Sequence, residues 1–152
     1  MTYLISVFSV YTKLETLSYS HRLYKKESFL GICSRRHSFA GRTVSLEEVL
    51  QESLLVREKG SGTRMLLEQA VAARGYSLDS FSRHSSISNF SIICDLVAMD
   101  HLITFAYEPI SHCRNDLATF RVEDMEITGE FNLVYINRSV AEPKADLFLA
   151  TC

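Results

Sequence analysis

Residues 54–75 read LLVREKGSGTRMLLEQAVAARG. An apolar run, a turn with two glycines and a segment of helical periodicity follow one another without a break. Residues 54–57 read as a strand, and 63–74 as a helix with Leu66, Leu67, Ala70 and Val71 on one face. Gly75 stands where a C-cap glycine belongs. A strand that runs through a glycine turn into a helix is the unit of an α/β sheet, and the flanking sequence is read from that starting point.

Working outward, the pattern repeats. Residues 29–33 form a compact apolar run, a buried strand. Ser45 and Glu48 have capping-box spacing and open a short helix through Leu50. A short strand over 82–86 precedes a helix over 89–99, with Ser88 placed to cap it and Phe90, Ile93, Cys94 and Val97 as its stripe. A strand over 102–107 stops before Pro109. A weak helix over 110–115, strands over 118–122 and 130–136, and a helix over 143–149 with Pro143 in its first turn complete the order. The opening MTYLISVFSVYT reads as a strand, too short to span a bilayer and lacking the basic start and small-residue cleavage site of a signal peptide.

At 152 residues and 47% hydrophobic, the chain suits one packed domain or one lobe of a larger one. A formal charge of -2 gives it no bulk attraction for polyanions. Cys33, Cys94, Cys113 and Cys152 are widely spaced, with no CxxC pair, which points to reduced thiols and a cytoplasmic protein.

GSGTR, residues 60–64, is neither a Walker loop nor a full GxGxxG, because position 65 is methionine. It still places bare backbone N–H groups at a helix start, with the Ser61 and Thr63 hydroxyls on either side of Gly62. Arg57, Lys59 and Arg64 face one anion, Glu58. Cations at the positive end of a helix dipole cost roughly a few tenths of a kcal/mol each, which a bound carboxylate or phosphate would offset. On spacing alone, a Ser- or Thr-capped helix with a solvated basic turn is somewhat favoured over an anion site.

Other constellations carry less. His101, His112, Cys113 and Cys33 offer metal-ligand chemistry but no pair at i, i+3 or i+4, and adjacent residues point apart. Cys33 and His37 are the nearest nucleophile–base pair. Cys94 sits on an apolar helical stripe, and Phe131 and Tyr135 alternate as strand residues do, so both read as core. No metal, cofactor or catalytic group is assigned.

The segments FLGICSRRHSFAG (29–41), TVSLEEVLQESLLVREKGSGTR (43–64) and LVAMDHLITF (96–105) together resemble the effector-binding domain of LysR-type transcriptional regulators. The resemblance runs from Tyr19 to the C-terminus, and REKGSGTR with its flanks is its most specific part. It implies a periplasmic-binding-protein-like (type II) two-lobed α/β fold with a small-molecule effector in the cleft between lobes. On that basis 1–26 is a remnant of the first lobe, 27–133 the complete second lobe, and 134–152 the strand and helix that return to a first lobe largely missing here.

The function implied is sensing rather than catalysis, with DNA contacted only through a helix-turn-helix domain absent from this chain. Exposed apolar surface on the incomplete lobe implies self-association. The alternative is a solute-binding protein or enzyme on the same fold. The site expected is Gly60, Ser61, Gly62 and Thr63, with Ser88 and Asn89 at the start of the other long helix, around an anionic effector. Two departures from the family pattern stand out. Ser38 follows His37 where proline is usual, and Asp100-His101-Leu102 replaces Gly-Leu-Gly. Asp and His tolerate left-handed backbone better than most residues, so that turn is expected to survive.

Overall fold

The computed structural model describes residues 6–9, 19–99, 101–136 and 141–151. In chain order the elements are β1 (Ser6–Ser9), β2 (Tyr19–Ser34), β3 (Thr43–Val44), α1 (Leu46–Leu50), β4 (Ser53–Val56), α2 (Gly62–Ala72), a 3-10 turn (Leu78–Ser80), β5 (Arg83–Ser86), α3 (Phe90–Ala98), β6 (Leu102–Tyr107), α4 (Pro109–His112), β7 (Leu117–Val122), β8 (Ile127–Ile136) and α5 (Ala141–Thr151). The chain divides into two compact units, one of residues 28–127 and one of residues 1–27 with 128–152.

In the larger unit the sheet runs β5-β4-β6-β2-β7-β3. β4 pairs in parallel with β5 and β6, β2 runs antiparallel between β6 and β7, and β3 pairs in parallel with β7. Strand alternation sends Phe29, Cys33, Leu54, Val56, Ile103, Phe105 and Phe120 into one buried cluster, and Ile32, Leu55, Ala106 and Leu117 into another. Leu66, Leu67 and Val71 of α2 belong to the first cluster, with Val49 of α1. Ile93, Cys94 and Val97 of α3 belong to the second. The two long helices therefore cover opposite faces of the sheet, as right-handed crossovers leaving β4 and β5 in opposite directions require.

Local sequence explains the element ends. The expected capping box is present: the Glu48 N–H donates to Ser45 Oγ at 3.2 Å, and the Ser45 N–H to Glu48 Oε2 at 2.9 Å. Gly75 has φ +82, and the amides of Gly75 and Tyr76 donate to the carbonyls of Ala72 and Val71, a Schellman ending. His101 does adopt left-handed backbone, at φ +70. Asp100 lies outside the described residues.

Several expectations need correcting. α4 ends at His112 rather than 115, because it is a single turn started by Pro109. The 29–33 strand is the end of a 16-residue strand whose earlier part alternates too weakly to be noticed. β3, a two-residue strand, was not expected. Of the opening apolar segment only residues 6–9 are described, and they are a strand.

The smaller unit pairs β1 antiparallel with β8, from Ser6↔Val134 to Ser9↔Phe131. Lys26 and Glu130 form an ion pair at 2.8 Å, and the Tyr24 and Phe148 rings pack at 5.4 Å.

Candidate functional site

β4 and β5 end side by side, with Val56 in register with Ser86. Their following segments, 57–61 and 87–89, lead into α2 and α3 on opposite faces of the sheet. In open α/β sheets such a divergence at the carboxyl ends of neighbouring parallel strands opens a crevice, the usual place for a ligand. All six residues expected from sequence lie in these two segments or the helix starts they feed. The segments are tied to each other: the Ile87 N–H donates to the Val56 carbonyl at 2.9 Å, and Ser86 Oγ to the Arg57 carbonyl at 3.2 Å.

The two helix starts differ. Asn89 caps α3, its Oδ1 accepting from the Ser91 and Ile92 amides at 2.9 and 3.4 Å. Ser88, expected as that cap, is exposed one residue earlier. An Asn at the position before the first helical residue supplies the acceptor directly, so the serine is not needed. At α2, Ser61 occupies the N-cap with extended backbone, φ -68 and ψ 136, but its side chain caps nothing. Its hydroxyl lies 3.0 Å from Thr63 Oγ1 instead. The first turn of α2 contains no acidic residue, so its leading N–H groups keep the positive dipole end that α3 partly satisfies with its own side chain. Gly60, at φ +93, makes the turn that brings the chain into this start, with the Ser61 N–H bonded to the Glu58 carbonyl.

The charge pattern differs from the one read in the sequence, where three cations outnumbered one anion. Arg57 grips Glu58 with two bonds, Nε to Oε2 at 2.8 Å and Nη2 to Oε1 at 3.0 Å. This hydrogen-bonded pairing holds the Glu58 carboxyl below its usual range and pushes the Arg57 guanidinium up. Arg64 donates Nε to Glu68 at 2.8 Å and reaches the Arg57 carbonyl with Nη1 at 3.4 Å. Lys59 alone of the three joins no ion pair among the described residues. The i, i+4 spacing of Arg64 and Glu68 was a legible signal for the second pair.

Behind Thr63 and Arg64 lies a void of about 10 Å³, lined also by Val56, Leu67, Thr104 and Phe105. That is room for about one water, so a ligand at this helix start would sit outside it. Thr104 Oγ1, buried there, donates to the Leu55 carbonyl at 2.8 Å. A larger hollow of about 350 Å³ lies near Arg74, Tyr76 and Glu123, and none of the six expected residues lines it.

The other sequence candidates stay apart from any chemistry. No group of three metal-ligating side chains forms among the described residues. Cys33 is fully buried, and His37 is engaged: Nδ1 accepts from the Phe39 amide at 3.2 Å, and Nε2 lies 3.6 Å from Glu52. Burial pushes the Cys94 thiol up, as a core residue requires. Among the described residues no helix is long and apolar enough to cross a membrane.

The family model for the LysR substrate binding domain matches residues 11–152. The chain belongs to this family. LysR substrate-binding domains have the periplasmic-binding-protein-like type II α/β fold and serve as regulatory effector sensors, not enzymes. Solved structures agree on the fold. The regulatory domain of CcmR from Synechocystis PCC6803, in complex with 2-PG, superposes with TM-score 0.77 at 19% identity over 97% of this chain and 72% of that one. The effector binding domain of QuiR in complex with shikimate gives 0.71 at 15% identity, over 92% and 66%. An H2O2-bound OxyR C206S mutant from Corynebacterium glutamicum gives 0.70 at 19%, over 96% of this chain but 46% of its own. Among curated proteins, none matches the chain.

Proposed function

We propose that this LysR substrate-binding chain senses a small anionic effector for a cytoplasmic, self-associating DNA-binding regulator, with residues 27–133 as its second lobe. In this reading the effector sits in the interlobe cleft. Gly60, Ser61, Gly62 and Thr63 bind it from the start of α2, and Ser88 and Asn89 contribute from the neighbouring segment. Sequence-specific DNA contact belongs to a helix-turn-helix element outside these 152 residues. The ligands of two fold relatives, 2-PG and shikimate, support a small-molecule effector, and shikimate is itself a carboxylate.

The observation that carries the reading is the contrast between the two glycines. Gly60 is explained by its left-handed backbone, φ +93. Gly62 lies outside that region, and a Cβ added to it would meet nothing within 4 Å. The fold therefore gives no internal reason for a glycine at the first residue of α2, where alanine would favour the helix. What the missing Cβ leaves clear is the approach to an uncapped helix start.

The test is calorimetric titration of the intact regulator with 2-PG, shikimate and inorganic phosphate, comparing it with its Gly62→Ala and Thr63→Ala variants. Gly62→Ala should keep or slightly raise thermal stability while weakening binding. Thr63→Ala, which removes one hydrogen bond to a charged group, should weaken it roughly ten- to a hundredfold, about 1.5–3 kcal/mol. Unchanged affinity in both variants would remove the turn from the site.

A further inference from the structure

The larger unit holds a second hollow, lined by none of the residues at the α2 start. It measures about 350 Å³, at the lower end of the range for small-ligand pockets. Its lining is of two kinds. Buried Leu46 and half-buried Tyr76 supply apolar surface, while exposed Glu47, Glu123 and Asp124 and half-buried Arg74 supply charge. Each charge stands on a fixed piece of backbone. Glu47 is in the first turn of α1. The Glu123 N–H donates to the Val44 carbonyl at 2.9 Å, and Asp124 takes left-handed backbone, φ +55, in a turn closed by the Met125 N–H on the Val122 carbonyl at 3.2 Å. Arg74 Nη1 donates to the Ala70 carbonyl at 3.2 Å, which holds the guanidinium at the end of α2.

Among the described residues no ion pair includes any of these four charges, although all four line one hollow. Nor, among those residues, do three carboxylates converge as the ligands of a metal ion would. The arrangement therefore suits cationic groups spaced along a molecule rather than one compact ion. Arg74 adds a demand for a carboxylate, which a guanidinium can grip with two parallel hydrogen bonds. Leu46 and Tyr76 suit the aliphatic stem joining such groups.

We infer that this hollow is a second small-molecule site, for a dibasic amino acid. The ligand's carboxylate meets Arg74, its two cationic groups meet Glu47, Glu123 and Asp124, and its methylene stem covers Leu46 and Tyr76. A simple anion would meet three carboxylates and one cation. A diamine would leave Arg74 unmatched. Because the carboxylates are exposed, the affinity is modest, with a dissociation constant on the order of 1 mM. The site goes beyond the effector reading and is independent of it.

The test is an amide NMR titration of the 152-residue chain with L-lysine and with cadaverine, its counterpart without the carboxylate. Lysine should give saturable shifts centred on Tyr76, Glu123 and Asp124. The double variant Glu123→Gln, Asp124→Asn should weaken lysine binding at least about fivefold. Asparagine tolerates left-handed backbone, so the turn is kept, and far-UV circular dichroism confirms that the variants fold. Arg74→Gln should weaken lysine at least about threefold and leave cadaverine bound as tightly or more so. Thr63→Ala, at the proposed effector site, should leave the lysine titration unchanged. Absence of saturable shifts, shifts centred on the α2 start, a double variant that binds lysine like wild type, or an Arg74→Gln that weakens both ligands alike would each overturn the inference.

Discussion

Gly31→Ala tests how the centre of the larger unit is packed. Gly31 lies on β2 between Phe105 of β6 and Phe120 of β7. A Cβ there would sit 2.2 Å from Phe120 Cζ and 2.4 Å from Cε1 and Cε2, well inside contact distance. The ring cannot swing clear, because Phe120 is 1% exposed and packs against the rings of Phe39 at 5.2 Å and Phe105 at 5.7 Å. Nor can the backbone retreat, held by ladders on both sides. Overpacking costs about 1–3 kcal/mol, and a fixed ring between two ladders puts this site at the upper end. At about 2–4 °C per kcal/mol for a chain of this size, the midpoint should fall by roughly 6–12 °C. Thermal unfolding of Gly31→Ala, Phe120→Leu and the double variant decides the mechanism. Removing the ring should relieve the clash, leaving the double variant at least about 1 kcal/mol more stable than the sum of the singles. A Gly31→Ala within 0.5 kcal/mol of wild type by the usual ~0.3–0.5 additivity error, or an additive cycle, would refute the close-packing argument.

Ser45→Ala should cost about 1 kcal/mol at neutral pH by opening the α1 capping box. The Ser45 backbone and hydroxyl hydrogen bonds hold the Glu48 carboxyl below its usual range, so this stabilisation is full above the unfolded value near ~4.3 and is lost as pH falls through the folded value. The difference between wild type and Ser45→Ala should therefore shrink in acid; a constant difference down to pH ~3 would contradict it. Asn89→Ala should destabilise by about 0.5–2 kcal/mol in urea unfolding while Ser88→Ala stays within about 0.5, and equal effects would return the cap to Ser88. Brief alkylation at neutral pH followed by peptide mass mapping should label exposed Cys113 and spare Cys94, whose thiol is buried and raised. Prompt labelling of Cys94 would show that α3 does not pack as described.

The sequence made the larger unit legible where a single local signal governed. The capping box at Ser45, the Gly75 helix end and the stripes of α2 and α3 all involve residues within about one turn of each other. What escaped it depended on partners distant in the chain. β3 is only two residues long and exists because β7, some 78 positions later, supplies its ladder: Thr43 pairs with Arg121. Cations that looked uncompensated in the turn were already paired, Arg57 with its immediate neighbour and Arg64 one helical turn on. Residue counts show how many charges a segment has, and only side-chain geometry shows which are spent.

That pairing changes how an anion would be held at the α2 start. With Arg57 on Glu58 and Arg64 on Glu68, attraction by free guanidinium groups is largely used up before a ligand arrives. What remains, besides the Lys59 ammonium, is directional: the leading amides of α2, and the Ser61 and Thr63 hydroxyls that share one hydrogen bond 3.0 Å long. Such groups select by shape, since each must meet an acceptor at a fixed angle, whereas unpaired arginines would take any anion within reach. The paired arginines have a second consequence. The Arg57 carbonyl accepts from both Ser86 and Arg64, so the turn after β4 is fixed to the end of β5 and to α2 itself. In the proposed site, a turn fixed in this way would need no reordering to bind, which would favour discrimination among small anions over affinity for all of them.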